Sequence, residues 1–193
     1  MIIGISGYVG NRLTGIGRVL INILSELAKQ YPEDKYVLFR NFDFKEYDNL
    51  TQYQNIEIVD VPYTKESGLK NILWHQWLFQ KLLKKYKCDI AYIPNFTLLL
   101  WKTIPTIVTI HDLIEYNVPD KFSKARMFYR KQVCDPLMAK KSNHILTVSK
   151  SSYKDIISYL GVKPSKLTLT LNATDRNLSL IHISEPTRRS WIS

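Results

Sequence analysis

Short apolar runs alternate with longer amphipathic segments along most of this chain. The first run, residues 2–6, is rich in β-branched side chains and predicts a buried strand. Apolar residues then recur at helical spacing over residues 16–30, which predicts an amphipathic helix. The alternation continues, and we predict further strands at residues 36–40, 56–61, 90–93, 106–110, 144–148 and 167–171.

Three more segments have the spacing of helices. They cover residues 71–86, residues 123–140 with an interruption near Pro136, and residues 151–160, where Ser149 is placed to cap the first turn. Strands that alternate with helices favour a parallel sheet covered on both faces. The predicted fold class is therefore α/β, a Rossmann-like doubly wound parallel sheet.

Composition agrees with one globular domain, since 45% of the 193 residues are hydrophobic and 23% are charged. Cys88 and Cys134 match no metal-ligand spacing and are interpreted as reduced thiols. The chain shows neither a signal peptide nor an apolar run of membrane-spanning length, so a cytoplasmic location is expected. The net charge of +10 suits anionic lipid or a phosphorylated substrate, and no nucleic-acid-binding motif accompanies it.

The carboxyl end differs in character from the rest. Residues 178–188 resemble the conceptual translation of a transposon-type sequencing adapter. We therefore predict a native domain over residues 1–177 and a non-native tail over residues 178–193, and we exclude His182 as a site candidate.

Two loops at predicted strand ends carry candidate chemistry, because ligands of such sheets bind beyond the carboxyl ends of the strands. Gly15 and Gly17 stand where the chain enters the first helix, with Arg18 beside them. There they permit close approach of a ligand and leave helix N–H groups for an anion. His111 and Asp112 directly follow the strand predicted at residues 106–110.

A dinucleotide-binding fold is the competing interpretation of the first loop. Gly4, Gly7 and Gly10 have the spacing G-x-x-G-x-x-G. The end of the second strand, however, carries Arg40 and Asn41 instead of the acidic residue that would bind a ribose.

Four segments in order, TGIGRV, IPTIVTIHDLIEYNVPDKFS, HILTVSKSSYKDI and LTLTLNATD, resemble the amino-terminal domain of the family 4 glycosyltransferases, which have the GT-B fold. The first of them is similar to the bacterial mannosyltransferases of O-antigen and related polysaccharide synthesis. The resemblance extends over nearly all of residues 1–177. It implies that the carboxyl-terminal nucleotide-sugar domain is missing and that the chain by itself is inactive.

The resemblance also implies roles for individual residues. His111 would orient the transferred sugar, and Asp112 would hold the turn that carries it. Asn95 would lie on the acceptor side. The implied donor-binding residues are Gly15, Gly17 and Arg18, and the further implied acceptor-binding residues are Trp74 and Gln76.

The implied reaction is transfer of a hexose from a nucleotide sugar to a glycan or lipid-linked acceptor in cell-surface polysaccharide synthesis. The resemblance implies retention of the anomeric configuration, no metal and no other cofactor. The favoured donor is GDP-mannose, which would supply mannose. The basic helix over residues 71–86 suggests peripheral contact with anionic membrane at the inner face of the plasma membrane. Two alternatives stay open, a non-catalytic sugar- or nucleotide-binding relative and a Rossmann-type NAD-dependent epimerase or oxidoreductase.

Overall fold

The computed structural model of this chain describes residues 1–8, 14–61, 68–95, 97–118 and 121–171. The predicted tail at residues 178–193, Gly10 and the end of the fourth family-like segment lie outside these ranges. Seven parallel strands form one sheet in the order β3-β2-β1-β4-β5-β6-β7. The strands are β1 (Ile2–Gly7), β2 (Lys35–Arg40), β3 (Ile56–Asp60), β4 (Ile90–Ile93), β5 (Thr106–Thr109), β6 (His144–Thr147) and β7 (Leu167–Leu169).

Helices connect the strands and lie on both faces of the sheet. α1 is Gly15–Gln30, α3 is Ile114–Asn117 and α5 is Lys150–Leu160, and short 3-10 helices lie at Lys45–Leu50 and Pro164–Lys166. α2 covers residues 68–85 and α4 covers residues 124–141. These two helices contain π-helical turns, at Trp74–Leu78 and Tyr129–Cys134 respectively.

The interruption predicted in α4 is present as the π-helical turn that precedes Pro136. Proline has no N–H to donate and its ring crowds the preceding turn, so the backbone there widens without ending the helix. The cap predicted at Ser149 is also confirmed, because its Oγ accepts a hydrogen bond of 3.0 Å from the N–H of Ser152.

Two apolar clusters fill the spaces between the sheet and its helices. Leu20 and Leu24 of α1 pack with Leu38 on one face. Trp74 of α2 and Met138 of α4 belong to the cluster on the other face, which also includes Ile156 of α5. The α/β, doubly wound class predicted from the sequence is therefore confirmed.

Candidate active site

The site that the fold offers lies at the carboxyl edge of the sheet, between β1 and β4. The chain moves outward from β1 to β2 and β3, and then crosses back to add β4 on the other side. Ligands of doubly wound sheets bind in the crevice beyond the strand ends at such a switch in strand order.

Asn95 links the two strand ends at the switch. Its side-chain Nδ2–H donates a hydrogen bond of 2.6 Å to the backbone carbonyl of Tyr8, which follows β1. The buried Oδ1 of the same amide has no hydrogen-bond partner within the described ranges. An unsatisfied buried acceptor is costly, so this oxygen is suited to receive a donor group from a ligand.

His111 is fixed at the end of β5 by contacts on both sides. Its Nε2–H donates to the carbonyl of Pro94 over 2.9 Å, since a carbonyl can only accept. In the tautomer with the hydrogen on Nε2, Nδ1 is an acceptor. Its own carbonyl accepts a 2.8 Å hydrogen bond from the hydroxyl of Ser152 in α5. The imidazole is therefore held in one tautomer and one position beside the crevice.

Asp112 makes a local hydrogen bond in the turn after β5. Its Oδ1 accepts a hydrogen bond of 3.3 Å from the N–H of Ile114, at the start of α3. The side chain is otherwise exposed and lines the same cavity as His111. This contact stabilises the turn after β5.

We call the start of α1, residues 15–17, the glycine turn. It forms the other side of the crevice. Gly15 is exposed, and a Cβ built there would meet no atom within 4 Å. The N-cap residue Thr14 makes no side-chain hydrogen bond to the first turn of α1. Gly17 is buried and Arg18 is exposed beside it. The turn therefore offers N–H groups and open space, the two requirements for bringing an anion close to the backbone.

Two adjoining cavities occupy this edge. The larger, of about 620 Å³, includes Asn95 in its wall, and the smaller, of about 330 Å³, includes His111. Ile16 and Arg130 line both cavities. Ile16, which lies between Gly15 and Gly17, therefore adjoins Asn95 through the larger cavity and His111 through the smaller one.

A buried ionic cluster supports Arg130. Its Nε–H donates to Oε1 of Glu115 over 3.1 Å, and the Glu115 side chain is fully buried. Burial and a hydrogen bond with Glu115 raise the pKa of Asp135 to about 9. Burial alone would raise the pKa of Glu115, but hydrogen bonds with Asp135 and Arg130 lower it overall. Asp135 therefore carries a proton at neutral pH, and Glu115 carries the negative charge that faces Arg130.

The structure assigns structural contacts to Trp74 and Gln76, the two residues predicted to bind acceptor. Trp74 is completely buried, and its indole N–H donates to Oγ of Ser6 over 3.1 Å. Gln76 is also buried, and its amide is hydrogen-bonded to the backbone of residues 98, 100 and 101. These side chains hold α2 against β1 and the β4–β5 loop and line neither of the two cavities, and acceptor binding by Trp74 and Gln76 stays a prediction.

Sequence reasoning did not single out Arg126 and Arg130. Both belong to a basic run from Lys121 to Lys141. Their separation of four residues places them on the same side of a helix. That spacing, in the helix following the His111 turn, was the available signal.

The glycines of the dinucleotide-like pattern have packing roles. A Cβ at Gly4 would collide with Cδ2 of Leu83 and lie 2.8 Å from Sγ of Cys88. One at Gly7 would lie 2.9 Å from the carbonyl oxygen of Phe39. These two glycines therefore permit close packing of β1 against α2 and β2.

The fold is Rossmann-like and matches the amino-terminal half of the two-domain GT-B glycosyltransferases. Residues 13–178 match the model of Glycosyltransferase Family 4, and the chain belongs to that family. No match was found among curated protein sequences.

Solved glycosyltransferase structures share the fold at low sequence identity. A glycosyltransferase from Rickettsia africae ESF-5 has a TM-score of 0.55 and 14% identity over 93% of this chain and 48% of its own. WaaG, a glycosyltransferase involved in lipopolysaccharide biosynthesis, has a TM-score of 0.60 and 14% identity over 86% of this chain and 44% of its own. The lipopolysaccharide outer core galactosyltransferase WaaB has a TM-score of 0.55 and 15% identity over 90% of this chain and 46% of its own. The chain thus spans about half the length of each of these structures.

Proposed function

We propose that this domain forms the acceptor-side half of a retaining glycosyltransferase that moves a hexose from a nucleotide sugar to a glycan or lipid-linked acceptor. The observation that carries the proposal is the pair of adjoining cavities at the strand ends, one lined by His111 and the other by Asn95. Membership of family 4 supports the reaction class. Mannose from GDP-mannose is the donor proposed, on the basis of the TGIGR segment, for synthesis of O-antigen or a related cell-surface polysaccharide.

In the proposed arrangement the donor sugar lies beside His111. Nδ1 of the imidazole accepts a hydrogen bond from a sugar hydroxyl, because Nε2–H is already donated to Pro94. The N–H groups at Gly15 and Gly17 approach the donor phosphates, with Arg18 adding positive charge nearby. Negative charge grows on the departing diphosphate as its bond to the anomeric carbon breaks, so donors fixed in advance at that position lower the barrier.

The chemical step replaces one bond at the anomeric carbon with another. The acceptor hydroxyl oxygen bonds to that carbon, the bond to the diphosphate oxygen breaks, and the hydroxyl proton leaves with the nucleoside diphosphate. No metal is required by this proposal, because helix N–H groups and basic side chains stabilise the leaving group. We further propose that the nucleotide is held mainly by a second domain of the whole protein, and that the 193-residue chain alone gives no turnover.

Nuclear magnetic resonance tests the proposed donor position in the 193-residue chain. GDP-mannose is titrated into labelled protein, with GDP-glucose, UDP-galactose and dTDP-rhamnose as competing donors and NAD⁺ as the control. We expect GDP-mannose to perturb the amides of Gly15, Ile16 and His111, and NAD⁺ to leave them unchanged. Perturbation of this turn by NAD⁺ alone would instead support the oxidoreductase alternative. A non-catalytic relative would bind the sugar nucleotide equally well, and the whole protein would transfer nothing.

An apolar surface next to the larger cavity supports a membrane-linked acceptor. Trp77 and Leu73 of α2 are exposed, as are Leu100 and Trp101 of the β4–β5 loop. The amide of Gln76 accepts hydrogen bonds from the N–H groups of both loop residues, at 3.0 and 3.2 Å, so loop and helix are neighbours. We call this surface, formed by Leu73, Trp77, Leu100 and Trp101, the tryptophan patch.

Basic side chains accompany the tryptophan patch. Nζ of Lys81 lies 5.7 Å from the ring centroid of Trp77, and Lys84 follows on the same side of α2. Within the described ranges, no helix is long and apolar enough to cross a bilayer. We propose that the patch inserts among the headgroups of an anionic bilayer while the lysines contact their phosphates.

A further inference from the structure

The larger cavity has a wall of unusual composition. Its polar side chains are two arginines, two asparagines, one threonine and one tyrosine, and none of the described residues that line it is acidic. Cavities of this size hold small organic molecules. Amide and hydroxyl groups suit a polyol, whereas paired guanidinium groups suit an anion.

Both arginines lie against the same aromatic ring. The guanidinium of Arg126 lies 4.2 Å from the ring centroid of Phe122, and that of Arg130 lies 5.4 Å from the same centroid. Like charges four residues apart on a helix repel each other, so an anion between them would relieve an existing cost.

The buried cluster behind Arg130 sets its orientation without cancelling the local positive charge. Glu115 supplies one negative charge, and it binds the Nε side of the guanidinium. Asp135 is neutral at physiological pH because burial and its contact with Glu115 raise its pKa to about 9. The positive charge of Arg126 is therefore not offset by this cluster.

The opposite part of the cavity offers neutral polar groups. Oδ1 of Asn95 is an acceptor without a partner in the described part of the chain. Asn71 is fixed by the hydroxyl of Thr97, which donates to its Oδ1 over 2.8 Å. Asn71 also lines the cavity, and its side-chain NH₂ group carries two donors, so the two asparagines together have an acceptor and donors for sugar hydroxyls.

We infer that the larger cavity binds a sugar phosphate, with Arg126 and Arg130 holding the phosphoryl group and Asn95 and Asn71 holding sugar hydroxyls. This inference rests on the proposed function and adds to it that the acceptor is phosphorylated. Two sources share this chemistry, a free sugar phosphate and a sugar attached through phosphate to a lipid. The tryptophan patch adjoins the cavity through neighbouring residues, since Ile72 and Leu98 line the cavity while Leu73 and Leu100 are exposed.

Isothermal titration calorimetry of the 193-residue chain tests the inference with four probes: glucose 1-phosphate, glucose, inorganic phosphate and a geranyl-linked glucose phosphate. The key variant is Arg126→Gln, which removes one guanidinium from an exposed position and leaves the Glu115–Arg130 pair in place. Lys124→Gln is its matched control, because Lys124 is an exposed cation two residues away that does not line the cavity.

We expect glucose 1-phosphate to bind more tightly than glucose, and Arg126→Gln to weaken that binding roughly tenfold, the loss typical of one charge-assisted contact. Lys124→Gln should leave the affinity unchanged. If the geranyl-linked glucose phosphate binds more tightly than glucose 1-phosphate, and Trp101→Ala removes the difference, the acceptor is lipid-linked. If these two probes bind equally, the acceptor is a free sugar phosphate.

Equal affinity for glucose and glucose 1-phosphate, unaffected by Arg126→Gln, would overturn the inference and leave the acceptor-side role standing. If Arg126→Gln weakened the binding of GDP-mannose as much as that of glucose 1-phosphate, the arginines would belong to the donor site, and the inference would also be overturned. Absence of binding by all four probes would remove both this inference and the proposed acceptor site.

Discussion

The hydroxyl of Ser6 donates a hydrogen bond of 2.9 Å to Nε2 of His75, and this bond joins the end of β1 to the interior of α2. Its direction follows from the other ring nitrogen, because Nδ1–H must donate to the carbonyl of Asn71 at 2.9 Å. The same Ser6 oxygen accepts from the indole N–H of Trp74. Asn71, which lines the larger cavity, is therefore positioned by a buried network that begins in the first strand.

Replacing Ser6 with alanine should lower the free energy of unfolding by about 1–3 kcal/mol, because Nε2 of His75 loses its donor in a fully buried place. Urea unfolding followed by tryptophan fluorescence measures the change. Ser158→Ala, at an exposed position in α5, is the control and should leave stability unchanged or slightly increased. Equal stability of Ser6→Ala and the wild-type chain would show that the network contributes nothing.

The pH dependence of stability should show two opposing contributions. Burial lowers the pKa of His75 to about 4 from 6.5, so the unfolded chain binds a proton more readily and stability is lost as pH falls from about 6.5 to 4. Burial raises the pKa of Asp135 to about 9 from 3.8. The folded chain keeps that proton, so stability is lost as pH rises from about 4 to 9.

Asp135→Asn separates these contributions, because the amide stays neutral at every pH. In the wild-type chain, Asp135 should make the unfolding free energy decline above pH 6.5, by at most about 1.4 kcal/mol per pH unit for one group. We expect this decline to be absent in the variant. Urea titrations at pH 5, 7 and 9 measure it, and Asp48→Asn, at an exposed position, serves as control. The prediction fails if Asp135→Asn and wild type decline in parallel between pH 7 and 9.

Two glycine substitutions should change stability in opposite directions. Gly4→Ala places a methyl group against Leu83 and Cys88 and should cost about 1–3 kcal/mol of unfolding free energy. Gly15→Ala meets no atom and favours the first turn of α1, so it should stabilise by up to about 1 kcal/mol. Thermal unfolding distinguishes them.

The same Gly15→Ala variant should bind GDP-mannose more weakly, since its methyl group fills the space through which the proposed donor phosphates approach the backbone. Calorimetry measures this affinity. A more stable protein with unchanged GDP-mannose affinity would remove the glycine turn from the proposed donor site.

Alanine at Trp77 or Trp101 should reduce binding to vesicles that contain phosphatidylglycerol by about tenfold, as expected for removing one inserted aromatic side chain. Tyr31→Ala is the matched control, because Tyr31 is comparably exposed but lies at the far end of α1. Vesicle flotation measures the bound fraction, and high salt should weaken it. If the wild-type chain bound neutral and anionic vesicles equally, and high salt did not weaken the binding, an electrostatic contribution would be contradicted.

The periodicity of the sequence predicted all seven strands to within two residues at either end. Buried parallel strands consist of short apolar runs, so their positions depend on local composition. Three short helices, Lys45–Leu50, Ile114–Asn117 and Pro164–Lys166, were not predicted, because segments of three to six residues are too short to show a helical period.

The roles of similar residues within α2 could not be separated from sequence. Trp74 and Trp77 are both aromatic and three residues apart, yet the first is buried and the second is 58% exposed. The difference arises from the π-helical turn and from the hydrogen bond to Ser6, which is 68 residues away. Burial of an individual side chain therefore required the packed structure.

The sequence alone determined the α/β class, the helix start at Gly15, the strand end before His111, and the family, because each depends on local patterns or on motifs in a fixed order. Only the tertiary structure decided that β4 lies beside β1, that Asn95 contacts Tyr8, and that Arg126 and Arg130 line the same cavity as Asn95. These contacts join residues far apart in the chain, and they depend on the order in which strands and helices pack, which hydrophobic periodicity does not encode.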